Sequence, residues 1–237
     1  MKTLLSVGCS NTVGVNLEEE IGIFNYLIKE KDASALGKEV AYYRESKNFT
    51  TKVAQLIGYN SINLGISGAS NERIVFNLID HLTCNPKPDL ILVNLSGRSR
   101  VTFQVDDRIL DFDLTYTTEH LKTHSKIEDK NFVPFIEFFK RNSVTDYNLY
   151  KRQDHLYRYV VLFLESTGIP YLLSETINTG QKLTNYTDKC ITTSFDDFNI
   201  SSGRNRAQGN HWLSDSHTAW AEHLVKKLED LYGISRA

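Results

Sequence analysis

The stretch Gly8-Cys9-Ser10-Asn11-Thr12 directly follows the apolar run Leu4-Leu5-Ser6-Val7 and decides the assignment of the fold. A short apolar run that ends in small residues predicts a β-strand with Ser10 at its carboxyl end. Open α/β sheets place their chemistry at this edge. Gly8 permits a tight turn, and the residues after Ser10 can offer backbone N–H groups to a developing oxyanion. The stretch therefore predicts a serine hydroxyl at the edge of a sheet, and an ordinary turn between a strand and a helix is the alternative reading of the stretch taken alone.

Strand-like and helix-like segments alternate along the rest of the chain, as a repeated βα unit requires. The further predicted strands are Ser61–Leu64, Leu90–Leu95 and Ile169–Leu173. The predicted helices are Asn48–Ile57, a segment capped by Ser70, Asp146–Thr167 closed by Gly168, and a last helix capped by Ser214 or Asp215. Strands that alternate with helices predict an α/β fold with a parallel sheet.

Two long insertions, about 18–47 and 101–144, interrupt the repeat. The first is charged, and we predict that it is helical. The second is rich in Phe, Asp, Lys and Thr. Long insertions at the carboxyl edge of a parallel sheet tend to form lids or substrate walls. A decorative excursion or a contact with another subunit is the alternative reading. No linker divides the chain, so we expect one domain over residues 1–237.

Composition limits the classes of function. The chain has 237 residues, of which 41% are hydrophobic, and a formal net charge of −2. This charge disfavours nucleic-acid binding through an overall basic field, and no stretch is long enough to span a membrane. The three cysteines, Cys9, Cys84 and Cys190, lack metal-ligand spacing, so we expect no metal. Phosphate-cradling glycine motifs are absent, which disfavours a nucleotide or flavin binder and leaves no cofactor implied.

Two further segments extend the pattern around Ser10. Asn63-Leu64-Gly65-Ile66-Ser67-Gly68-Ala69-Ser70-Asn71-Glu72-Arg73 opens a helix after a short strand. Gly209-Asn210-His211-Trp212 precedes the last helix, and His217 follows His211 by six residues. In their order and spacing, the three segments resemble the SGNH (GDSL-like) hydrolase family, in the GCS-T-G form seen in phage and bacterial proteins. The resemblance spans most of the chain and implies a flavodoxin-like three-layer α/β/α sandwich.

The resemblance also implies roles for individual residues. Ser10 would be the nucleophile and His211 the base that takes and returns its proton. The N–H groups of Ser10 and Gly68 would form the oxyanion hole. His211 is preferred to His217 because it lies in the loop before the helix, and Cys9 ranks below Ser10 as a nucleophile.

The third family block departs from the expected pattern. The family has an Asn there that completes the oxyanion hole, whereas this chain has Ser96-Gly97-Arg98-Ser99 after the third strand. A guanidinium carries several donors and a fixed charge, so Arg98 is the predicted replacement, either stabilising an oxyanion or holding an anionic substrate. A surface arginine on a loop is the alternative reading. Arg100 and Ser96 are alternatives, because the register of a loop is uncertain by a residue or two.

The acid of the family, three residues before the base, is the second departure. That position holds Gln208, which offers a neutral amide oxygen where a carboxylate would orient and stabilise the imidazole. A Ser–His dyad, an acid from elsewhere and a catalytically weak site all remain open. Asp215 reads better as a helix N-cap than as a triad member, and Asp196 and Asp197 have no motif behind them.

The sequence leads to two hypotheses of different class. The first is a serine esterase that cleaves O-acyl esters, either on carbohydrates or small acyl esters, without a cofactor. The second is a non-catalytic SGNH-fold binding or assembly module, for which a phage particle is one setting. The N-terminal apolar run is too short for a signal peptide, so we expect a cytoplasmic or virion-associated protein that binds neither nucleic acid nor membrane. The oligomeric state is left open.

Overall fold

Four parallel strands form the central sheet of this computed structural model, which describes residues 1–23, 35–105, 108–115, 132–143, 145–207 and 211–237. They are β1 (Thr3–Gly8), β2 (Asn60–Asn63), β3 (Leu90–Leu95) and β6 (Tyr171–Glu175), in the order β2-β1-β3-β6. A separate antiparallel hairpin consists of β4 (Arg100–Val105) and β5 (Arg108–Asp113).

Helices surround the sheet. They are α1 (Ser10–Val13), α2 (Ala35–Lys47), α3 (Phe49–Ile57), α4 (Asn71–Cys84), α5 (Phe132–Ser143), α6 (Asp146–Thr167), α7 (Phe195–Ser201) and α8 (Ser214–Tyr232). Two 3₁₀ turns, Leu17–Ile21 and Leu183–Asn185, complete the described elements. None of the helices in the described ranges is long and apolar enough to cross a membrane.

The strands β1, β3 and β6 are buried on both faces and are mostly apolar, whereas the edge strand β2 is polar and partly exposed. Successive side chains of a strand point to opposite faces, and here they enter two different cores. Leu5 and Val7 pack with α4 and α6, whereas Leu4 packs with α3 and α8. The result is the three-layer α/β/α sandwich predicted from the sequence.

The strand order fixes where a site can form. From β1 the chain moves to one side to form β2, and then crosses to the other side of β1 to form β3. Ligands in open α/β sheets bind at the carboxyl ends of strands where the order reverses in this way. That point lies between β1 and β3, and β1 ends at Gly8, two residues before Ser10.

Several local predictions are confirmed. Ser70 caps α4 by accepting the Arg73 N–H at 3.2 Å, and α6 spans Asp146–Thr167 with Gly168 closing it at φ +69°. The last strand begins two residues later than predicted, at Tyr171. The edge beside it is extended by one bridge, Leu173 with Cys190.

The predicted cap of the last helix is wrong. Leu213 occupies the N-cap position of α8, while Ser214 and Asp215 belong to the first turn. The Ser214 N–H is satisfied by the Glu20 carboxylate at 2.7 Å, and Asp215 accepts the Ser216 N–H at 2.7 Å. A carboxylate from the distant Leu17–Ile21 turn therefore replaces the local cap, which suits the positive end of a helix dipole.

The insertions contain regular structure. In the first, Glu18 is fully buried and is paired with Arg44 of α2. In the second, the hairpin β4–β5 packs on α5, where Phe103 meets Phe135 and Phe139 with ring centroids 5.5 and 5.3 Å apart. The other residues of the two insertions lie outside the described ranges, and the role of the insertions as a lid or substrate wall stays a prediction.

Candidate active site

Ser10 lies at the carboxyl edge of the sheet, as the sequence predicts, on the first residue of the one-turn helix α1. The first N–H groups of a helix have no partner within it. The N–H groups of Thr12 and Val13 both bond to the Cys9 carbonyl, whereas that of Ser10 has no acceptor among the described residues. The turn thus leaves a backbone donor beside the Ser10 hydroxyl.

Gly8 makes this turn as tight as it is. A Cβ at Gly8 would lie 2.0 Å from Oγ1 of Thr12 and 2.9 Å from the carbonyl oxygen of Asn94 on β3. Both are far closer than normal contact, so only glycine allows β1, β3 and α1 to approach in this way. The requirement arises from close approach, since Gly8 is not among the residues with positive φ.

His211 lies within hydrogen-bond distance of Ser10, although the two are 201 residues apart in sequence. The distance between His211 Nε2 and Ser10 Oγ is 2.9 Å. Ser10 is only 4% exposed, and His211 is half-buried. The contact joins a hydroxyl to a group that can take its proton, which is the geometry expected of a serine nucleophile and its base.

The residue after His211 anchors the loop that carries it. Trp212 is buried, and its indole N–H donates to Asp196 Oδ1 at 2.6 Å. The Arg206 guanidinium stacks over the Trp212 ring at 4.4 Å and pairs with Asp196 Oδ2 at 3.4 Å. Asp196, one of the candidate acids, therefore has both carboxylate oxygens engaged in holding Trp212.

The other candidate acids are placed as follows. Asp197 lies in the first turn of α7, where its N–H bonds to Ser194 Oγ at 3.1 Å. Asp215 is exposed, and its carboxylate accepts the Ser216 N–H in the first turn of α8. Gln208, the predicted partner of His211, lies outside the described residues, so its role stays a prediction.

His217 is fully buried directly behind this region. Its Nδ1 accepts the Phe49 N–H at the start of α3 at 3.1 Å, and its ring stacks on the Phe49 ring with centroids 5.9 Å apart. Burial, together with smaller contributions from the neighbouring His211 and Lys52, lowers the pKa of His217 to about 3. His217 is therefore a neutral hydrogen-bond acceptor that joins α8 to α3.

We expect His217 to make the protein acid-sensitive. The unfolded chain binds a proton at His217 near pH 6.5, whereas the folded chain does so only near pH 3. As the pH decreases from about 6.5 to about 3, the free energy of unfolding should therefore decrease. The limiting slope from this group is about 1.4 kcal/mol per pH unit. Urea unfolding at pH 7, 6 and 5 should show a shallower slope for His217→Gln than for wild type. The exposed His155→Gln should leave the slope unchanged, and equal slopes in all three proteins would contradict this prediction.

The loop of residues 65–70, between β2 and α4, carries the predicted oxyanion donor Gly68. Most of its N–H groups have acceptors: Asn63 Oδ1 for Gly65, the Gly8 carbonyl for Ile66, the Ile66 carbonyl for Ala69 and Asp111 Oδ1 for Ser70. Within the described residues, the N–H groups of Ser67 and Gly68 have none. Gly68 adopts φ +80°. Because its N–H has no acceptor within the described residues, this group is available as a donor.

In the third block, Ser96 and Arg100 have partners within the described residues. The Ser96 backbone is bound by the Asn71 side chain, which accepts its N–H at 2.6 Å and donates to its carbonyl at 3.0 Å. Arg100 donates to Ser96 Oγ at 2.8 Å and faces Asp113 at 3.8 Å. These two alternatives to Arg98 are therefore engaged with each other. Arg98 is half-buried in the turn after β3, and its oxyanion role stays a prediction.

Sequence reasoning missed the side chains that tie the edge loops together. Asn63 of β2 donates to the Thr12 carbonyl at 2.7 Å, and Asn71 joins α4 to the loop after β3. Thr176, after β6, donates to Asn94 and lies 3.2 Å from the Cys9 sulfur. The only sequence signal was polar residues at strand ends. Cys9 is thus packed against Thr176, in keeping with its low rank as a nucleophile.

Glu175 is a buried acid at the same edge of the sheet. Glu175 ends β6, where burial raises the pKa of its carboxyl group. Its Oε1 accepts the hydroxyl protons of Tyr157 and of Thr179, the latter at 2.7 Å. Beside it the loops 175–184 and 191–194 line a cavity of about 470 Å³.

The described part of the chain contains no group of three or more His, Cys, Asp or Glu side chains that could hold a metal ion.

Comparison with protein-family models gives no match, and neither does comparison with curated proteins. Solved structures are similar over nearly the whole chain. One, from Desulfitobacterium hafniense, is described as a putative lipolytic protein of the G-D-S-L family and is 10% identical, with 96% of this chain and 100% of that chain covered at a TM-score of 0.40.

Two esterases are similar in the same way. An acetyl xylan esterase from the rumen bacterium Butyrivibrio proteoclasticus is 13% identical at a TM-score of 0.48, and a family two carbohydrate esterase from Clostridium thermocellum is 10% identical at 0.40. In each, 98% of this chain covers 65% of the longer esterase chain. At this level the chain is similar to these proteins in fold, and the case for its chemistry rests on Ser10 and His211.

Proposed function

We propose that this protein is a serine esterase that hydrolyses O-acyl esters. The observation that carries the proposal is the 2.9 Å distance between Ser10 Oγ and His211 Nε2, at the point where the strand order of the sheet reverses. His211 would take the Ser10 proton as the hydroxyl attacks the ester carbonyl, and would return it to the leaving alcohol. Water would then release the acyl group by the same route.

The oxyanion hole in this proposal is made of the N–H groups of Ser10 and Gly68. Both lack an acceptor among the described residues, which supports their use as donors to a developing negative charge. Arg98 is proposed as a further donor in place of the family's asparagine. The proposed substrates are O-acyl groups on carbohydrates, O-acetyl groups among them, or small acyl esters, as the resemblance of the sequence motifs implies.

A fluorophosphonate probe tests the proposal directly, since it forms a covalent bond only with an activated serine. We expect labelling at Ser10, located by peptide mass spectrometry, and its loss in His211→Ala. A folded wild-type protein that neither reacts with the probe nor hydrolyses acetyl esters would contradict the proposal. That outcome would favour the non-catalytic binding or assembly module.

A further inference from the structure

We infer that the hairpin β4–β5 orients the oxyanion loop, with Asp111 as the positioning residue. The inference rests on the proposed function, because it concerns the direction of the Gly68 N–H. It assigns to the second insertion a role other than that of a lid or substrate wall. Asp111 lies on β5, 41 residues after Ser70, and contacts no reacting atom in this assignment.

The contact is a chain of hydrogen bonds that ends on a carboxylate. Asp111 Oδ1 accepts the Ser70 N–H at 3.1 Å and the Thr102 hydroxyl at 2.6 Å. The Ser70 hydroxyl donates to Glu72 Oε2 at 3.0 Å and also contacts the Thr102 oxygen, whose own proton goes to Asp111. Bonds of this kind to an ionised group are stronger than bonds between neutral groups.

Gly68 has no side chain that could fix its direction. A Cβ built at Gly68 would meet no atom within 4 Å, whereas the next residue, Ala69, is fully buried in the core. The bonds on either side of Gly68 run from Ile66 to the Gly8 carbonyl at 2.9 Å, from Ala69 to the Ile66 carbonyl at 3.2 Å and from Ser70 to Asp111 at 3.1 Å. Of these, the Ser70–Asp111 bond fixes the second half of the loop to the hairpin, and its loss would leave only the Ala69 bond and the Ser70 cap of α4 on that side.

The hairpin is itself held firmly enough to serve as a support. Phe103 packs between the rings of α5, as described above, and Val101 and Phe112 are buried in the same cluster. Arg152 of α6 also donates to the Arg100 carbonyl at 3.3 Å and pairs with Glu72 in the first turn of α4 at 2.5 Å. The start of α4 and the hairpin are thus joined at two places.

The test compares three substitutions on one strand, in the full-length protein. Asp111→Ala removes the acceptor, Asp111→Asn keeps an oxygen in its place, and Ile109→Ser changes an exposed residue of the same strand. We expect Asp111→Ala to lower kcat for acetyl esters about 10- to 100-fold with KM nearly unchanged, because a misplaced donor acts on the transition state. Asp111→Asn should restore most of kcat, and Ile109→Ser should behave as wild type.

Hydrogen–deuterium exchange of the peptide that contains residues 65–70 gives a readout independent of activity. Exchange should accelerate in Asp111→Ala and not in Asp111→Asn. If Asp111→Ala unfolds the protein, Thr102→Val replaces it, since that change removes one hydroxyl and keeps the shape. Wild-type kcat and exchange in Asp111→Ala, or an equal loss in Ile109→Ser, would overturn the inference. An inactive wild type would overturn the proposed function instead, and exchange would still decide whether Asp111 positions the loop.

Discussion

Ser10→Ala is expected to abolish hydrolysis of p-nitrophenyl acetate while leaving the fold intact. The side chain that is lost is the proposed nucleophile, and its absence should lower kcat by at least about 10³-fold, given the larger losses seen when such residues are removed. The folded protein should lose only the single bond to His211, worth about 1 kcal/mol. Initial rates and urea unfolding of the same preparation measure the two effects separately.

His211→Ala should cost about as much as Ser10→Ala, and the double variant should be no worse than either. Residues that act as one unit are strongly non-additive, so removal of the second adds little once the first is gone. His155→Ala, which changes an exposed histidine of α6, is the matched control and should retain full activity. Rates that fall independently and multiply in the double variant would contradict the paired roles of Ser10 and His211.

The contact between Ser10 and His211 could be predicted because the resemblance of the motifs singled out both residues and their order suits a parallel sheet. A serine at the end of β1 must lie at the carboxyl edge of a parallel sheet, and a histidine in the loop before the last helix can reach that edge. The buried faces of the strands were also visible as apolar runs in the sequence. Together these signals predicted the layers, the sheet and the central pair of the site.

The supports of the site could not be predicted in the same way. The cap of α8 comes from Glu20, 194 residues before the Ser214 N–H that it accepts. No local pattern encodes such a contact, and the local rule favoured Ser214 or Asp215 instead. Asp111 reaches the loop of residues 65–70 through an insertion whose hairpin packs on α5 and α4. An isolated two-stranded ribbon is marginal in water, so its existence depends on tertiary packing that the sequence pattern does not display.

Gly8→Ala is expected to disrupt both stability and the site. The new methyl group would lie 2.0 Å from Thr12 Oγ1, and rotation of the Thr12 side chain could relieve that contact. It would also lie 2.9 Å from Thr12 Cβ and from the backbone oxygen of Asn94, and rotation moves neither atom. The separation of β1 and β3 would have to increase. Overpacking of this kind costs about 1–3 kcal/mol, and we expect a loss of unfolding free energy at the upper end of that range.

The same displacement should move Ser10, because only Cys9 separates it from Gly8. A shift of about 1 Å in a reacting group can lower a rate by about 100-fold, so the fluorophosphonate labelling rate of the folded fraction should fall at least that far. Gly97→Ala is the matched control for stability, since its Cβ would meet no atom closer than 3.8 Å and Gly97 has no positive φ. It should unfold within about 1 kcal/mol of wild type, because no neighbouring atom has to move. Wild-type stability and labelling in Gly8→Ala would mean that β1 and β3 can separate freely, and the tight turn would then not be what places Ser10 beside His211.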